Sequence, residues 1–450
     1  MKKIGIISLG CPKNLVDSEK MLAELAEAGC LLPAPLEEAD VILINTCGFL
    51  AASRQEALDA IGQALELKHA GSARRVVVAG CLPSRFGPGC IPAGVDAIIG
   101  VNDRDKIVQA VCGEGEFVSV CKEAAGFGPG ESAGDAGRFR LTPPHTAYLR
   151  IAEGCDRKCT FCTIPAIRGP MRSKPLDMVL AEARELIDSG AIELNIIAQD
   201  TTAWGEDLGD EWNLSLLLEN LDRLDGAGWL RLMYTYPRNF GDELIEAIAT
   251  AEHVVPYVDM PLQHISSSVL KRMGRRIDRP ATEELLHKLR ERIDGLVLRT
   301  SLIVGFPGES DEEYGELLDF VKKFRFDNLG VFEFSPEEGT PAAKLPGQLP
   351  DDVVADRADE IMAVQHEIVL ENNRAMVGRK VDVLIDGEAD DQACTFGRYY
   401  GQAPDIDGLC LLNEPAEPGR ILSCTVTGVD DYDLQVTPSS RRQKGCKVKG

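Results

Sequence analysis

No apolar run in this chain approaches the length of a membrane span, and its start, MKKIGIISLGC, has too short an apolar stretch for a secretory signal. Positive charge is also scarce, because 48 lysines and arginines stand against 72 aspartates and glutamates, a net charge of -24. A chain that holds many phosphates would carry the opposite balance, so general nucleic-acid binding is disfavoured. The acidity either serves solubility or matches a basic protein partner. We expect a cytoplasmic protein that makes no membrane contact.

Cysteine, by contrast, is abundant, with 14 among 450 residues. Without an oxidising compartment these thiols predict metal ligands rather than disulfides. The central triad, Cys155, Cys159 and Cys162, forms a C-x3-C-x2-C array within EGCDRKCTFCTIP. Three thiolates at this spacing can hold three irons of a four-iron cluster and leave the fourth iron open to a ligand. A zinc knuckle is the alternative, but it prefers paired cysteines, and no second pair follows within the usual reach.

A second set of cysteines follows the predicted strands of the first part of the chain. Apolar runs alternate there with helical patterns and predict a small parallel α/β domain, with strands at 3–9, 40–46 and 75–79 and helices at 17–28 and 55–67. The strands end next to the first triad: Cys11, Cys47 and Cys81. Because the carboxyl ends of parallel strands share one edge of a sheet, we expect these thiols to converge. The alternative is that small buried cysteines follow strands by chance.

Alternation of strands and helices resumes after a run at 122–144 that is rich in glycine, proline and alanine and predicts a linker. The predicted strands are 148–152, 193–198, 230–234, 257–262, 297–304 and 331–334, with helices such as 176–189 and 311–324 between them. Six such units are two short of a closed eight-unit barrel, so we expect a partial (β/α)6 barrel that is open on one side. A long helix at 350–376 ends it.

The tail from 377 to 438 consists of short strand-like runs broken by glycine, proline and aspartate, which predicts a small antiparallel OB-like β-barrel. It carries four basic and twelve acidic residues, a net charge of -8. A barrel that grips RNA should show the reverse. We therefore expect a basic protein as its partner. The predicted domains are 1–121, a linker at 122–144, 145–376 and 377–442.

Polar residues at the carboxyl ends of the barrel strands are candidate site residues. They are Gln199 and Asp200 after the second strand and Gln263 and His264 after the fourth, while Gly305 begins the segment 305–309 that follows the fifth. Arg168 and Arg172 follow the central triad and suit the carboxylate of a cofactor or an acidic substrate. The alternatives are helix capping or backbone satisfaction for Gln263 and His264, and a solvated charge run for the two arginines.

The central triad resembles the signature of the radical S-adenosylmethionine (SAM) superfamily. The resemblance implies a [4Fe-4S] cluster whose open iron is chelated by the amino and carboxylate groups of SAM. It also implies a 5'-deoxyadenosyl radical that abstracts hydrogen from an unreactive carbon. Phe161, Gln199 and Gly305, the last within VGFPGES, are the SAM contacts that the resemblance implies.

The motifs SLGCPKNLVDSE around Cys11 and INTCGF around Cys47 resemble the methylthiotransferase family, and the resemblance covers essentially the whole chain, including a TRAM domain at the tail. It implies a second [4Fe-4S] cluster on the first triad, which supplies or carries the inserted sulfur. One SAM would methylate that sulfur and another would give the radical, with a reductant such as flavodoxin or ferredoxin and a sulfur donor as partners. Both clusters must then face one cavity, so we expect the first domain over the barrel mouth.

Within the family, SLGCPKN, IAEGCDRKCTFC and AQDTTAWG are most similar to the branch that modifies the β-carbon of an aspartate in the small-subunit ribosomal protein S twelve. Enzymes that modify tRNA adenosine tend to have Gly-Gln-Asn where this chain has Ala198, Gln199 and Asp200. The resemblance implies an aspartate methylthiotransferase that meets nucleic acid only through the ribosome. A tRNA adenosine methylthiotransferase and a non-catalytic iron-sulfur carrier are the alternatives.

Overall fold

The computed structural model describes residues 1–123, 127, 134–389 and 394–439. They form, in chain order, a parallel α/β domain, an open barrel of parallel strands and a closed barrel in which four strand pairs are antiparallel and one is parallel. Within this part of the chain no helix is both long and apolar enough to cross a bilayer. The glycine-rich middle of the predicted linker and the last residues of the predicted third domain, 440–442, lie outside the described residues.

The first domain is a five-stranded parallel sheet with helices on both faces. Its elements are β1 (Ile4–Ser8), α1 (Pro12–Glu27), β2 (Val41–Thr46), α2 (Ala51–His69), β3 (Arg75–Gly80), α3 (Cys81–Phe86), β4 (Ala97–Gly100), α4 (Ile107–Cys112) and β5 (Phe117–Ser119). The order β1-β2-β3-β4-β5 brings the ends of the three predicted strands side by side. The two additional strands, β4 and β5, have four and three residues, too few to leave an apolar pattern in the sequence.

Helix α1 begins earlier than its apolar period predicts. Its first residue is Pro12, which follows the N-cap residue Cys11. Proline suits this position because its missing N–H would have no partner inside the helix. The early start brings the side chains that follow Cys11 into the first helical turn, beside the ends of β1 and β2.

The second domain contains all six predicted barrel strands. Its strands are β6 (Thr146–Arg150), β7 (Ala152–Glu153), β8 (Arg172–Ser173), β9 (Glu193–Ile197), β10 (Trp229–Leu232), β11 (Val254–Asp259), β12 (Val297–Val304) and β13 (Asn328–Glu333). Parallel pairing in the order β13-β12-β11-β10-β9-β6 gives an open six-stranded sheet, which confirms the predicted partial barrel. Strand β11 begins three residues before the prediction and includes Pro256, and the register with β10 shifts there, as a strand proline requires.

The helices of this domain cover the outside of the barrel and pack on one large apolar core. They are α5 (Ile164–Arg168), α6 (Leu176–Asp188), α7 (Leu214–Asp222), α8 (Asp242–Thr250), α9 (Ser267–Arg272), α10 (Arg279–Arg292), α11 (Asp311–Phe324) and α12 (Asp351–Met376). The predicted long helix is confirmed as α12, whose Ile361 and Ile368 belong to the barrel core.

The third domain is a closed five-stranded barrel, which confirms the predicted OB-like tail. Its strands are β14 (Lys380–Ala389), β15 (Cys394–Tyr399), β16 (Cys410–Leu412), β17 (Ile421–Asp430) and β18 (Asp433–Pro438). The loop between β15 and β16 reaches the base of the second domain. There Asp407 accepts a hydrogen bond from the Tyr257 hydroxyl at 2.7 Å, and Arg398 pairs with Glu193 at 2.8 Å.

The first domain lies over the mouth of the barrel. Arg85 of α3 pairs with Glu337, which follows β13, at 2.8 Å, and both side chains are buried. The end of the predicted linker also packs at this junction, because Asp135 is buried between Arg150 and Lys174 at 2.6 and 2.7 Å. This arrangement is the one expected if both cysteine triads face a common space.

Candidate active site

The first triad gathers at the carboxyl edge of the first sheet, as the strand ends predict. Cys11 caps α1, Cys47 directly follows β2, and Cys81 is the first residue of α3. The thiols are neighbours, since the charges of Cys11 and Cys47 both raise the pKa of Cys81. Gly10, at φ +93°, permits this convergence because a Cβ there would lie 3.3 Å from the Cys47 sulfur.

Asn14, one turn into α1, holds the strand ends of this edge together. Its amide donates to the Leu9 carbonyl at 2.6 Å and to the Thr46 carbonyl at 3.2 Å. Its side-chain oxygen lies 3.7 Å from the Cys81 sulfur. One buried side chain therefore contacts the ends of β1, β2 and β3.

The central triad lies on the loop between β7 and α5. Gly154, at φ +79°, starts this loop, and a Cβ there would lie 2.0 Å from the Pro170 carbonyl oxygen, so only glycine fits. The Cys155 sulfur accepts a hydrogen bond from the Arg157 N–H at 3.4 Å. Farther along, the Thr160 N–H donates to the Met273 carbonyl at 2.9 Å, which ties the loop to the end of α9.

Burial disfavours the charged form of several of these thiols. It raises the pKa of Cys81 to about 12, that of Cys162 to about 12 and that of Cys155 to about 11. Thiolates in such surroundings need a cation, and iron supplies one. Within the described ranges no three ligating side chains lie close enough to share a single metal ion.

A buried ionic network connects the two triads. Glu153, two residues before Cys155, accepts from Arg150 at 2.6 Å and from Arg168 at 3.1 Å. Arg168 also pairs with Asp17 of α1 at 3.0 Å and lies 3.6 Å from the Cys81 sulfur. Burial alone would raise the pKa of Glu153, but the two guanidinium groups outweigh it and lower that pKa to about 2.

The two arginines of the sequence prediction differ in their surroundings. Arg168 is only 3% exposed and already contacts carboxylates of the chain, so the solvated charge run is wrong for it. Arg172 is partly exposed, and its guanidinium lies 5.7 Å from the centroid of the Phe127 ring. A cavity of about 350 Å³ is lined in part by Arg168, Arg172 and Phe127 and borders the ionic network.

The predicted residues at the strand ends fall into two groups. In the first, Gln199 donates to Glu153 at 2.7 Å and so joins the network between the triads. Asp200 accepts from Arg157 of the cysteine loop at 2.6 Å, with Thr202 as a second donor. Both residues therefore support the loop that carries the central triad.

The second group lies at the ends of the fourth and fifth strands, where His264 and Gly305 face Glu309. Nδ1 of His264 accepts a hydrogen bond from the Ser266 N–H at 3.0 Å, so this ring nitrogen satisfies a backbone donor, as the alternative interpretation predicts. The other ring nitrogen, Nε2, lies 3.7 Å from Glu309. Gly305, at φ +75°, donates its N–H to Glu309, and a Cβ there would collide with Val354 of α12. Gln263 has a left-handed φ of +72°, a rare and strained conformation for this residue type.

Phe161 packs near the same group. Its ring lies against an apolar cluster that includes Met273 and Phe306, the residue after Gly305. The Phe161 side chain thus packs against the segment that follows the fifth barrel strand. The cysteine loop and the VGFPGES segment are therefore in contact.

Sequence reasoning missed Lys13 and Tyr234. Lys13 is buried, and its ammonium lies 3.0 Å from the centroid of the Tyr234 ring, beyond the end of β10. Burial lowers the pKa of Lys13 to about 8. The sequence feature that could have identified Lys13 is its position two residues after Cys11. The apolar period did not show that this position belongs to the first turn of α1.

Family models match three parts of the chain. Residues 149–321 match the radical SAM superfamily, residues 3–100 match an uncharacterized protein family, UPF0004, and residues 377–438 match the TRAM domain. The first two matches carry the central and the first triad respectively. The third coincides with the closed five-stranded barrel.

Curated relatives match nearly the whole chain. A ribosomal protein uS12 methylthiotransferase RimO from Anaeromyxobacter sp. (strain Fw109-5) is 44% identical over 96% of this chain and 92% of its own. Proteins of the same name from Myxococcus xanthus and Geotalea uraniireducens are 43% and 42% identical over 96% of this chain and 91% and 97% of theirs. The chain belongs to the RimO family. It is a radical SAM methylthiotransferase, and its cofactors include an iron-sulfur cluster and SAM.

Solved structures agree with the RimO family fold at lower similarity. The radical SAM methyltransferase TsrM from Kitasatospora setae, with a SAM analogue and tryptophan bound, matches with a TM-score of 0.53 at 14% identity. The match covers 87% of this chain and 80% of that one. A second TsrM structure, with cobalamin and a [4Fe-4S] cluster, has a TM-score of 0.51 at 16% identity over 76% of this chain and 77% of that one. At these identities the likeness supports the fold alone.

Proposed function

We propose that this enzyme adds a methylthio group to the β-carbon of an aspartate in ribosomal protein uS12, the small-subunit protein S twelve. One observation carries the proposal: cysteine triads from two domains adjoin the same buried network. Arg168 spans it, from 3.6 Å at the Cys81 sulfur to 3.1 Å at Glu153. The two triads therefore border one buried network, as the transfer of sulfur from one triad to a carbon activated at the other requires.

The proposal includes two [4Fe-4S] clusters, one for each triad. When bound, the clusters and SAM supply the electron, the hydrogen-abstracting radical and the methylated sulfur. The protein residues hold and seclude these groups. Asn14 fixes the ends of β1, β2 and β3 around the first triad, Gln199 and Asp200 support the loop of the central triad, and the network on Glu153 keeps the space between them buried.

A basic protein substrate fits the charge of the chain better than RNA does. The third domain has a net charge of -8 between residues 377 and 438, and the whole chain has -24. RNA-binding barrels present basic grooves with aromatic platforms. The family name of the relatives also favours a uS12 substrate over tRNA adenosine.

The remaining partners belong to the same proposal. A one-electron reductant of the flavodoxin or ferredoxin class and a sulfur donor are needed for each turnover. A cytoplasmic location is supported by the thirteen described cysteines, all free thiols, since reducing compartments keep thiols free.

The decisive experiment compares cells with and without this enzyme. Intact masses of the small-subunit ribosomal proteins and the nucleosides of total tRNA are measured from the same cultures. We expect one methylthio gain on uS12 that depends on the enzyme, with unchanged tRNA nucleosides. A gain on an adenosine instead would keep the fold and the chemistry but overturn the substrate.

A further inference from the structure

Lys13 lies where the first domain meets the barrel. It is the second residue of α1 and follows Cys11 by two positions. The residue is 6% exposed, and its ammonium faces the Tyr234 ring at 3.0 Å from the centroid. One cation of the first domain is thus buried against an aromatic face of the second.

This ammonium has no hydrogen bond or ion pair with any residue in the described ranges. The other buried cations of the junction differ from it, because Arg150, Arg168 and Lys174 each contact at least one carboxylate. An aromatic face attracts a cation but accepts none of its three N–H donors as a carboxylate would. A buried ammonium without an anion is costly, which favours a site that an anion completes.

The aromatic partner is held in a strained conformation. Tyr234 has a φ of +57°, a left-handed value that a bulky residue rarely adopts. Its N–H donates to Asp259 of β11 at 3.0 Å, and Asp259 pairs with Arg299 of β12 at 3.1 Å. Two neighbouring strands therefore hold the backbone of Tyr234 in place, and its strained conformation is an independent sign of a functional position.

We propose that Lys13 binds the side-chain carboxylate of the substrate aspartate, an inference that rests on the proposed function. Lys13 follows Cys11 of the first triad by two residues, and the Tyr234 ring that it contacts follows β10 of the barrel that carries the central triad. A carboxylate bound there is one bond from its own β-carbon, so the carbon that reacts is positioned between the triads. Lys13 is in this sense a substrate-positioning residue, and an adenosine base carries no carboxylate for it.

The test uses the full-length enzyme with both clusters reconstituted. Binding of two uS12 peptides is measured, one with the target aspartate and one with asparagine in its place. We expect the wild-type enzyme to bind the aspartate peptide at least tenfold more tightly, K13M to lose this preference and K13R to keep most of it. K20M, a lysine on the same helix that bonds only to the exposed Ala136 carbonyl, is the matched control and should retain the preference.

The affinity for SAM without peptide distinguishes the two carboxylates that Lys13 could bind. If the inference is correct, K13M binds SAM as tightly as the wild-type enzyme does. Weaker SAM binding with an unchanged aspartate preference would assign Lys13 to the SAM carboxylate and overturn it. An unchanged aspartate preference together with unchanged SAM affinity would overturn it as well.

Two further readouts separate misfolding and failure of the proposed function from these results. K13M removes an unpaired buried charge, so its iron content and thermal midpoint should not fall below those of the wild-type enzyme. A loss of both would assign Lys13 a structural role and contradict the inference. A wild-type enzyme that cleaves SAM but binds neither peptide would overturn the proposed substrate itself.

Discussion

The side-chain amide of Asn14 connects the first triad to the ends of the strands that carry it. Asn14 contacts the ends of three strands, and Arg168 of the second domain lies 3.2 Å from its side-chain oxygen. The residue is 1% exposed, so water cannot replace the bonds that it makes. The geometry of the first triad therefore depends on a residue that ligates nothing.

Replacing Asn14 with alanine should disorder the first triad and leave the central triad in place. The loss of two buried hydrogen bonds should lower the free energy of unfolding by about 1–3 kcal/mol. Iron and sulfide analysis should find one cluster instead of two after reconstitution. Asn102→Ala is the control, because its amide bonds only to exposed carbonyls, and full iron content in N14A would contradict the assignment.

The two triads should also differ in what their loss abolishes. Replacing Cys155 with alanine should eliminate reductive cleavage of SAM, because this residue belongs to the array that matches the radical SAM superfamily. Replacing Cys47 with alanine should leave cleavage measurable but stop methylthio transfer. The measurement is 5'-deoxyadenosine and modified peptide from the same reactions, and equal loss of cleavage in both variants would refute this division.

The cysteines could be predicted from the sequence because each triad has a local pattern: a fixed spacing, or a position at the end of an apolar run. The partners of Arg168 could not, because Asp17 and Glu153 lie on separate domains and only the packing of the domains brings them together. A cationic residue next to a cofactor-binding loop suggests that it binds a carboxylate of the cofactor. In this fold the chain supplies the carboxylates itself.

Among the elements, helix α11 was predicted with its correct bounds because both ends carry local signals. Ser310 and Glu313 form a capping box at its start, and Lys322 and Lys323 lie in its last turn, where positive charge is favourable. Glu313 also pairs with Arg272 of α9 at 2.7 Å. By contrast, β4 and β5 were not predicted, because strands of three or four residues form through hydrogen bonds to neighbouring strands and leave little pattern in the sequence.

The Glu313 carboxylate should stabilise the fold in a pH-dependent way. Burial alone would raise its pKa, but Arg272, Ser268 and the Ser310 N–H lower it to about 2. Because the folded-state pKa is depressed, the stabilisation is present above the ordinary pKa of about 4.5 and is lost as the pH falls toward 2. E313A should cost about 1 kcal/mol at neutral pH, and urea unfolding should show this deficit shrink between pH 5 and pH 3. E312A, an exposed acid in the same helical turn, should show neither effect.

At the scale of the whole molecule, the three predicted domains are correct as folds, and the first lies over the barrel mouth as expected, but the docking of the third domain on the barrel could not be predicted from the sequence. The third domain is anchored to the barrel by two buried ionic contacts, Arg398 with Glu193 and Arg299 with Asp407. These pairs join residues that are far apart in sequence, so no local sequence pattern predicts them. An acidic tail that appeared to be only a surface for a partner also supplies counter-ions to the barrel base.

This docking predicts that the barrel and the third domain unfold together. Asp407 accepts from Tyr257 at 2.7 Å and from the Ala403 N–H at 2.9 Å, and it lies 3.4 Å from Arg299. D407A should therefore cost about 3 kcal/mol, because it leaves a buried guanidinium and hydroxyl without one of their partners. E417A removes an exposed pair with Arg420 and should change stability by less than about 0.5 kcal/mol. Urea unfolding with probes in both domains measures this, and a separate transition of the third domain that alone responds to D407A would contradict the coupling. Since Arg299 also pairs with Asp259, which holds Tyr234, D407A should in addition weaken the preference for the aspartate peptide.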